Sequence, residues 1–440
     1  MTETTRSNQT ALDEFNAKLQ DIFIHQTRKL LNSKIYIKSL LSTLPVALIA
    51  TDEKGQIKTV NRACEDILGL DPKKVEGKVL GKIFQSNSDL LGKMELSLSE
   101  GRQFQVNAQS LHLDAKGDIV ANIEMQPILN EEREICGLLL SIEDQTYVNF
   151  LKDAFKRYVP PSVSEIIAQD PQYLKLGGEE KELTVLFSDL IGFTTLSEKL
   201  SPHQMVTFLS DYFDEMTALV FENEGTLKEY VADELMAIFG APVYQPDHAK
   251  RACRSALSMS KRLKELRRIW AEQGRPQLRA RIGVNTGPML VGNLGSTHRF
   301  SYGVIGDHVN LGSRLEGLSS LYGTEILIGE NTKNVIDDEF HIREIDFVRV
   351  KGRNQPVRIF ELLDNAENPL PQKIQKISES YGDGLSLYRE KDWIGALNIF
   401  KHIQENHDDR PTHVMAQRCR IYIENPPSSD WDGVFEHKTK

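Results

Sequence analysis

Two short stretches constrain this chain most: Phe187-Ser188-Asp189-Leu190-Ile191-Gly192-Phe193-Thr194 and Lys228-Glu229-Tyr230-Val231-Ala232-Asp233. Each sets one aspartate at the end of an apolar, strand-forming run. Two carboxylates carried on neighbouring strands can hold a pair of hard, oxygen-seeking cations. Paired cations are what transfer of a phosphoryl or nucleotidyl group generally uses. Glu229 in the second stretch is a candidate reader of a nucleotide base.

The 440 residues suffice for two to four domains, each with its own core. Charged residues make up 26% and hydrophobic ones 40%, so a globular chain is expected. A net charge of −10 argues against nucleic acid as the main partner. Nucleotide phosphate does not require a basic protein, because metals and a few cations handle it locally. Cys64, Cys136, Cys253 and Cys419 show no metal-ligand spacing and are expected to be buried, reduced thiols. The longest apolar run, residues 40–50, is interrupted by Pro45 and falls far short of the ~20 residues that cross a bilayer. No basic N-terminal region precedes a cleavable apolar segment. A soluble cytoplasmic protein without a membrane partner is expected.

Five segments follow along the chain. Residues 1–34 form a helical segment whose Leu12, Phe15, Leu19, Ile22, Phe23, Leu30 and Leu31 share one apolar stripe, as in a short coiled coil. Residues 35–146 give a strand at 46–51, a tight turn at Asp52-Glu53-Lys54-Gly55, a return strand at 57–60, a short helix from Asn61, and later strands near 104–113, 119–127 and 135–142. This is an α+β domain. Its one histidine, His112, is expected to be structural or exposed rather than a haem ligand. Residues 147–181 form a helical linker broken at Pro160-Pro161, with Gly177-Gly178-Glu179-Glu180 as a turn before the next strand. In residues 182–363 a strand ends at Asp189, Ser201 caps a helix, a hairpin carries Asp233 in its turn, and a helix opens at Asp247. That order predicts an α/β sandwich. Residues 370–440 turn helical again. No Gly-x4-Gly-Lys-Ser/Thr loop occurs, which removes a P-loop ATPase.

Leu44-Pro45-Val46-Ala47-Leu48-Ile49-Ala50-Thr51-Asp52, Gly55, Asn61-Arg62-Ala63 and Leu68-Gly69 resemble the start of a PAS sensor domain, and Asp144-Gln145-Thr146 resembles its exit. That family takes haem, flavin, small ligands or nothing; the residues here name no PAS ligand, and Asn61-Arg62-Ala63-Cys64 does not supply the photoactive cysteine context. The segments 187–194, Asp233-Glu234-Leu235-Met236-Ala237-Ile238-Phe239-Gly240, Arg281-Ile282-Gly283-Val284-Asn285-Thr286-Gly287 and 304–316 resemble, in order, the signature of class III nucleotidyl cyclases. The resemblance implies a ferredoxin-like core and two Mg²⁺ or Mn²⁺ held by Asp189, Asp233 and the carbonyl of Leu190. Gly192 and Phe193 would start a turn whose N–H groups reach phosphate. Arg281 would bind triphosphate, with Lys351 as a further phosphate contact. Asn310 and Arg314, four apart and so on one helix face, would orient the ribose and stabilise the pentavalent phosphorus. The resemblance also implies a head-to-tail homodimer, each site taking its aspartates from one protomer and its Asn/Arg pair from the other. Tyr381 to Tyr388 and Trp393 to Phe400 resemble a tetratricopeptide-like helix pair, docked on the cyclase domain or on the other protomer.

In that family the residue four before the second metal aspartate reads the base: Lys for adenine, Glu for guanine. Here it is Glu229. An ionised carboxylate accepts from guanine N1–H and N2–H together, whereas adenine N1 is itself an acceptor. Lys228 is one residue earlier, and strand alternation predicts that only one of the two faces the base. The second specificity position, four before Asp307, is Gly303, which has no side chain for O6; Ala232 stands where the family has Gly. The expectation is a PAS-regulated guanylate cyclase taking GTP. The alternatives are an adenylate cyclase taking ATP and a non-catalytic signalling scaffold.

Overall fold

The computed structural model describes residues 2–114, 116–170, 175–336, 338–351 and 353–436, with side chains from residue 23 except at 156–158 and 168–169. The side chains of Leu12, Phe15, Leu19 and Ile22 therefore lie outside what is described. The chain divides into two compact units, Met1–Tyr158 and Val159–Lys440.

The first unit opens with α1 (Thr2–Thr43), longer than the expected 1–34 segment. Leu44-Pro45 ends it, because the residue before proline is driven out of the helical region. Next come β1 (Ala47–Thr51), β2 (Ile57–Val60), α2 (Ala63–Leu68), α3 (Pro72–Val75), α4 (Leu80–Ile83), α5 (Ser88–Glu100), β3 (Phe104–Leu113), β4 (Gly117–Leu129), β5 (Ile135–Asp144) and α6 (Thr146–Tyr158). Among the described residues the strands form one antiparallel sheet, β2-β1-β5-β4-β3. One face buries Ile49, Ile57, Leu111, Ile123 and Leu140 with Phe84 from the helices. Asn61 ties the end of α1 to this sheet: its Nδ2 donates to the carbonyls of Val46 (2.8 Å) and Leu41 (3.1 Å), and its Oδ1 accepts from Leu48 N–H. His112 is exposed and faces Asp118 at 2.6 Å. Cys64, Cys253 and Cys419 are buried, but Cys136 is exposed, against expectation.

The second unit contains α7 (Pro161–Gln169), β6 (Gly177–Ile191), α8 (Phe193–Ser197), α9 (Pro202–Glu222), β7 (Thr226–Val231), β8 (Glu234–Phe239), α10 (His248–Glu272), β9 (Arg279–Gly295), β10 (Phe300–Ile305), α11 (Asp307–Tyr322), β11 (Ile326–Gly329), α12 (Glu330–Val335), β12 (Phe340–Arg349), β13 (Val357–Asn365), α13 (Gln372–Arg389), α14 (Trp393–Asn406), α15 (Arg410–Glu424) and β14 (Phe435–Glu436). The sheet runs β14-β12-β13-β11-β9-β6-β8-β7, with β10 also on β9. Residues 177–180 belong to strand β6, paired with β9 from Gly177↔Asn293 onward, so they are not the linker turn the sequence suggested. Their neighbour β9 extends to Gly295 and supplies the hydrogen-bond partners that a local reading cannot see. Ser201 caps α9 reciprocally with Gln204, as its position predicts.

Alternation along the central strands splits the burial between two faces. Leu235, Ala237 and Phe239 point to α9 and α10, where Phe208, Tyr212 and Trp270 complete a core. Met236 and Ile238 point the other way, with Val185, Phe187, Met289 and Val304. Helix α11 lies close against β9. A Cβ at Gly283 would collide with the Glu316 nitrogen and the Gly312 oxygen, so glycine sets the approach distance there.

The C-terminal helices dock on this same unit through buried charge. Arg343 binds Glu361 (2.5 Å) and Asp409 (2.8 Å). Arg418 binds Asp346 (2.5 Å), which also accepts from the hydroxyl of Tyr322, the last residue of α11. Tyr388, Trp393, Tyr422 and Trp431 cluster by their rings, and Trp431 Nε1 donates to Val434 O. Among the described residues no helix is long and apolar enough to cross a membrane.

Asp346 is 1% exposed, so removing its cation leaves a buried charge unpaired. Arg418→Met should cost about 3–5 kcal/mol of stability in urea unfolding of the full chain. A loss below 1 kcal/mol would mean that the tail is not integral to this unit.

Candidate active site

Asp189 lies near the end of β6, partly buried between Ser188 and Leu190, and Asp233 sits in the turn between β7 and β8. The β6–β8 pairing brings the two carboxyls within hydrogen-bonding reach. Burial first, and then the Asp189 charge, push the Asp233 carboxyl up to about 6. Ala232 makes the turn at φ +56°, a left-handed conformation that costs a residue with a Cβ roughly 1 kcal/mol. Leu190 is buried between them in chain order, paired with Ala280 on β9.

The cation nearest these acids is Arg281, opposite Asp189 in the β6–β9 register. Its Nη2 binds Asp189 Oδ2 at 2.5 Å, and its Nε lies 2.9 Å from Glu316 Oε1. The second contact is a charge pair without hydrogen-bond alignment: both atoms are buried with no hydrogen-bond partner. Burial raises the Glu316 carboxyl to about 7, opposed by Arg281. Glu234 is also raised, by burial and then by Asp189 and Asp233. Acid is thus in excess, and a guanidinium stands where a hard cation would be neutralised. That donor set fits divalent metal on Asp189 and Asp233. Among the described residues no group of three or more His, Cys, Asp or Glu is gathered as a complete ligand set, so the two aspartates would need backbone, substrate or water oxygens besides.

Gly192, at φ +80°, is the N-cap of the short helix α8, and Phe193 is its first residue. Both stand directly after the Asp189 strand, as expected. Asn310 is exposed in the first turn of α11 and Arg314 lies one turn further. The Arg314 Nη1 is buried with no hydrogen-bond partner. Among the described residues no hydrogen bond or ion pair joins Asn310 or Arg314 to the two aspartates of the same chain. Lys351 is exposed in the turn after β12. Nearby Arg353, which sequence reasoning missed, pairs with Asp307 at 3.3 Å and keeps a buried, unpartnered Nη1.

The base-reading positions depart from the expected alternation. The β7–β8 register shifts between Leu227 and Glu229, leaving Lys228 as the extra residue of a bulge. Tyr230 turns to α9, where it stacks on Phe213 and meets Thr217 at 2.6 Å. Lys228 and Glu229 stay together: Nζ lies 3.6 Å from Oε1. The lysine stem covers Gly303 on β10, where a Cβ would meet Lys228 Cε at 2.6 Å. The two neighbours thus lie together rather than on opposite faces.

Residues 178–363 match the model of the adenylate and guanylate cyclase catalytic domain, and residues 36–144 that of the PAS fold. The chain carries a class III cyclase catalytic domain preceded by a PAS domain. Adenylate cyclase 1 of Rhizobium meliloti is 34% identical over 222 residues, covering 49% of this chain and 33% of that one. An adenylate cyclase of Anabaena cylindrica is 32% identical over 246 residues, covering 52% and 48%. The crystal structure of the guanylyl cyclase Cya2 is 36% identical over 44% of this chain and 96% of that one, with a TM-score of 0.41. The chain thus spans less than half the length of these two curated relatives. Sequence reasoning quoted Glu316 at the end of a motif but gave it no role; its position two residues after Arg314 was the available signal.

A carboxyl raised from 4.5 to about 7 holds its proton more tightly folded than unfolded. Folded protein then binds more protons between those values, and stability falls as pH rises through the window. Wild type minus Glu316→Gln should therefore lose roughly 1–3 kcal/mol in chemical-denaturation stability from pH 4.5 to 7.5, measured without metal. A flat difference would show that Glu316 is not the buried acid.

Proposed function

We propose that this cyclase is a PAS-regulated guanylate cyclase of the cytoplasm. It converts GTP to 3′,5′-cyclic GMP and pyrophosphate in a head-to-tail homodimer with two shared sites. The observation that carries the guanine assignment is Glu229, a half-exposed carboxylate four residues before Asp233 and beside Gly303's lysine cover. A carboxylate there accepts from guanine N1–H and N2–H, and repels the adenine N1 lone pair.

Two Mg²⁺ or Mn²⁺ on Asp189, Asp233 and the Leu190 carbonyl would activate the ribose 3′-hydroxyl and draw charge from the triphosphate. The chain's own residues do the rest. Asn310 orients the ribose so that its 3′-oxygen faces the α-phosphorus. The unpartnered Arg314 guanidinium meets the charge that develops on the pentavalent phosphorus as pyrophosphate departs. Arg281, paired with Asp189 in this structure, would hold phosphate oxygens of the substrate. Backbone N–H groups at Gly192 and Phe193, with Lys351, complete the phosphate contacts. Exposed apolar residues on α1 (Phe23, Leu30, Leu31, Tyr36) and α6 (Tyr147, Phe150, Leu151) supply further surface for the same twofold pairing. The tail, read as a tetratricopeptide-like pair, braces α11 through Tyr322.

A second reading has one observation in its favour: the Lys228 ammonium lies among the base-reading residues, and an ammonium there suits adenine N1. The curated relatives named above are called adenylate cyclases. A non-catalytic scaffold has no physical need for Asp189, Asp233, Asn310 and Arg314 together.

Asp189→Ala and Arg314→Ala should each be nearly inactive alone, at least a hundredfold down, and should regain activity when mixed, because one of the two sites in a mixed dimer is intact. Confirmed heterodimers without turnover would sink the shared site. Glu229→Lys should lose GTP turnover roughly a hundredfold by removing two charge-assisted hydrogen bonds. Undiminished cyclic GMP production by that variant would remove Glu229 as the base reader.

A further inference from the structure

Gly303 is buried, and its missing side chain is what makes room for Lys228. The lysine side chain is 14% exposed, with its stem laid across the glycine and its Nζ 3.5 Å from where a Cβ at 303 would stand. The β7 bulge puts it there; a regular strand would have sent it to the opposite face. Glu229 Oε1 lies 3.6 Å from that Nζ and is half exposed. The face therefore presents a donor and an acceptor side by side, the donor on the Gly303 side.

We propose that Lys228 is a second specificity-determining residue, whose ammonium donates to guanine O6 while Glu229 accepts from N1–H and N2–H. The inference rests on the guanylate reading above and supplies what that reading lacks, a side-chain partner for O6. Guanine's edge runs acceptor, donor, donor from O6 through N1 to the 2-amino group. Lys228 followed by Glu229 is complementary to that order. Adenine puts an N6 amino group where the ammonium would be, donor against donor, and a lone pair at N1 against the carboxylate. The same two side chains thus select one purine and reject the other. A buried polar site built to meet a substrate group discriminates strongly against an analogue that lacks it.

The test uses the full chain and 6-thioguanosine triphosphate, which keeps N1–H and the 2-amino group but exchanges O6 for a weakly accepting sulfur. Wild type should prefer GTP over the thio analogue roughly tenfold to hundredfold in kcat/KM. Lys228→Met should reduce that preference to within about threefold. It should leave the preference for GTP over inosine triphosphate, which reports the 2-amino contact of Glu229, unchanged. Gly303→Ala keeps the lysine but displaces its stem and should lower the O6 preference as well, so the test stands even if one variant fails to fold. GTP-dependent wild type with an unaltered thio preference in Lys228→Met overturns the role of Lys228 and leaves the guanylate reading standing. Wild type that cyclises ATP and ignores GTP overturns both.

Discussion

Two half-buried carboxyls within hydrogen-bonding reach of each other need a cation, and the nearest one this chain owns is Arg281. Everything at the catalytic end depends on that imbalance. Asp189 and Asp233 are held together by the β6–β8 pairing, so they cannot relax apart. Burial lifts Asp233, and the added acids Glu234 and Glu316 deepen the negative field. Arg281 neutralises part of it and is itself shared with Glu316. A divalent ion does the same work with more charge in less volume. On the function proposed above, a divalent ion on the aspartates would leave Arg281 for the triphosphate.

Helix α11 links that acidic end to the rest of the unit. Glu316 and Arg314 sit two residues apart on it, one facing Arg281 and the other carrying an unused donor. The glycine contact at Gly283 sets its distance from β9, and Tyr322 fixes its far end to Asp346 and Arg418. The tail is therefore tied to α11 by a buried contact, in which the Arg418–Asp346 ion pair meets the Tyr322 hydroxyl. Buried pairs of this kind add little net stability over apolar packing, but they are costly to break and so hold a geometry.

Much of this was legible in the residues. The aspartates could be placed because each closes an apolar strand, and the Ser201 cap, the hairpin carrying Asp233 and the Asn310/Arg314 spacing are all local patterns. What escaped depends on distant pairing. The strand character of residues 177–180 comes from β9, more than a hundred residues away. The β7 bulge exists only relative to β8, and nothing in Thr226 to Val231 breaks the alternation that seemed to separate Lys228 from Glu229. Glu316 and Arg353 gain their surroundings from strand and helix neighbours that no sequence window contains. The docking of the tail rests on single charges, Arg343, Asp346 and Arg418, whose partners lie far along the chain.

The central claim is that an acid next to a base-reading lysine selects guanine on a cyclase scaffold. Product analysis of the purified full chain tests it most directly, with GTP and ATP supplied separately with Mn²⁺. Cyclic GMP from GTP, with little or no cyclic AMP from ATP, is the predicted result. Cyclic AMP from ATP with GTP left untouched would contradict it.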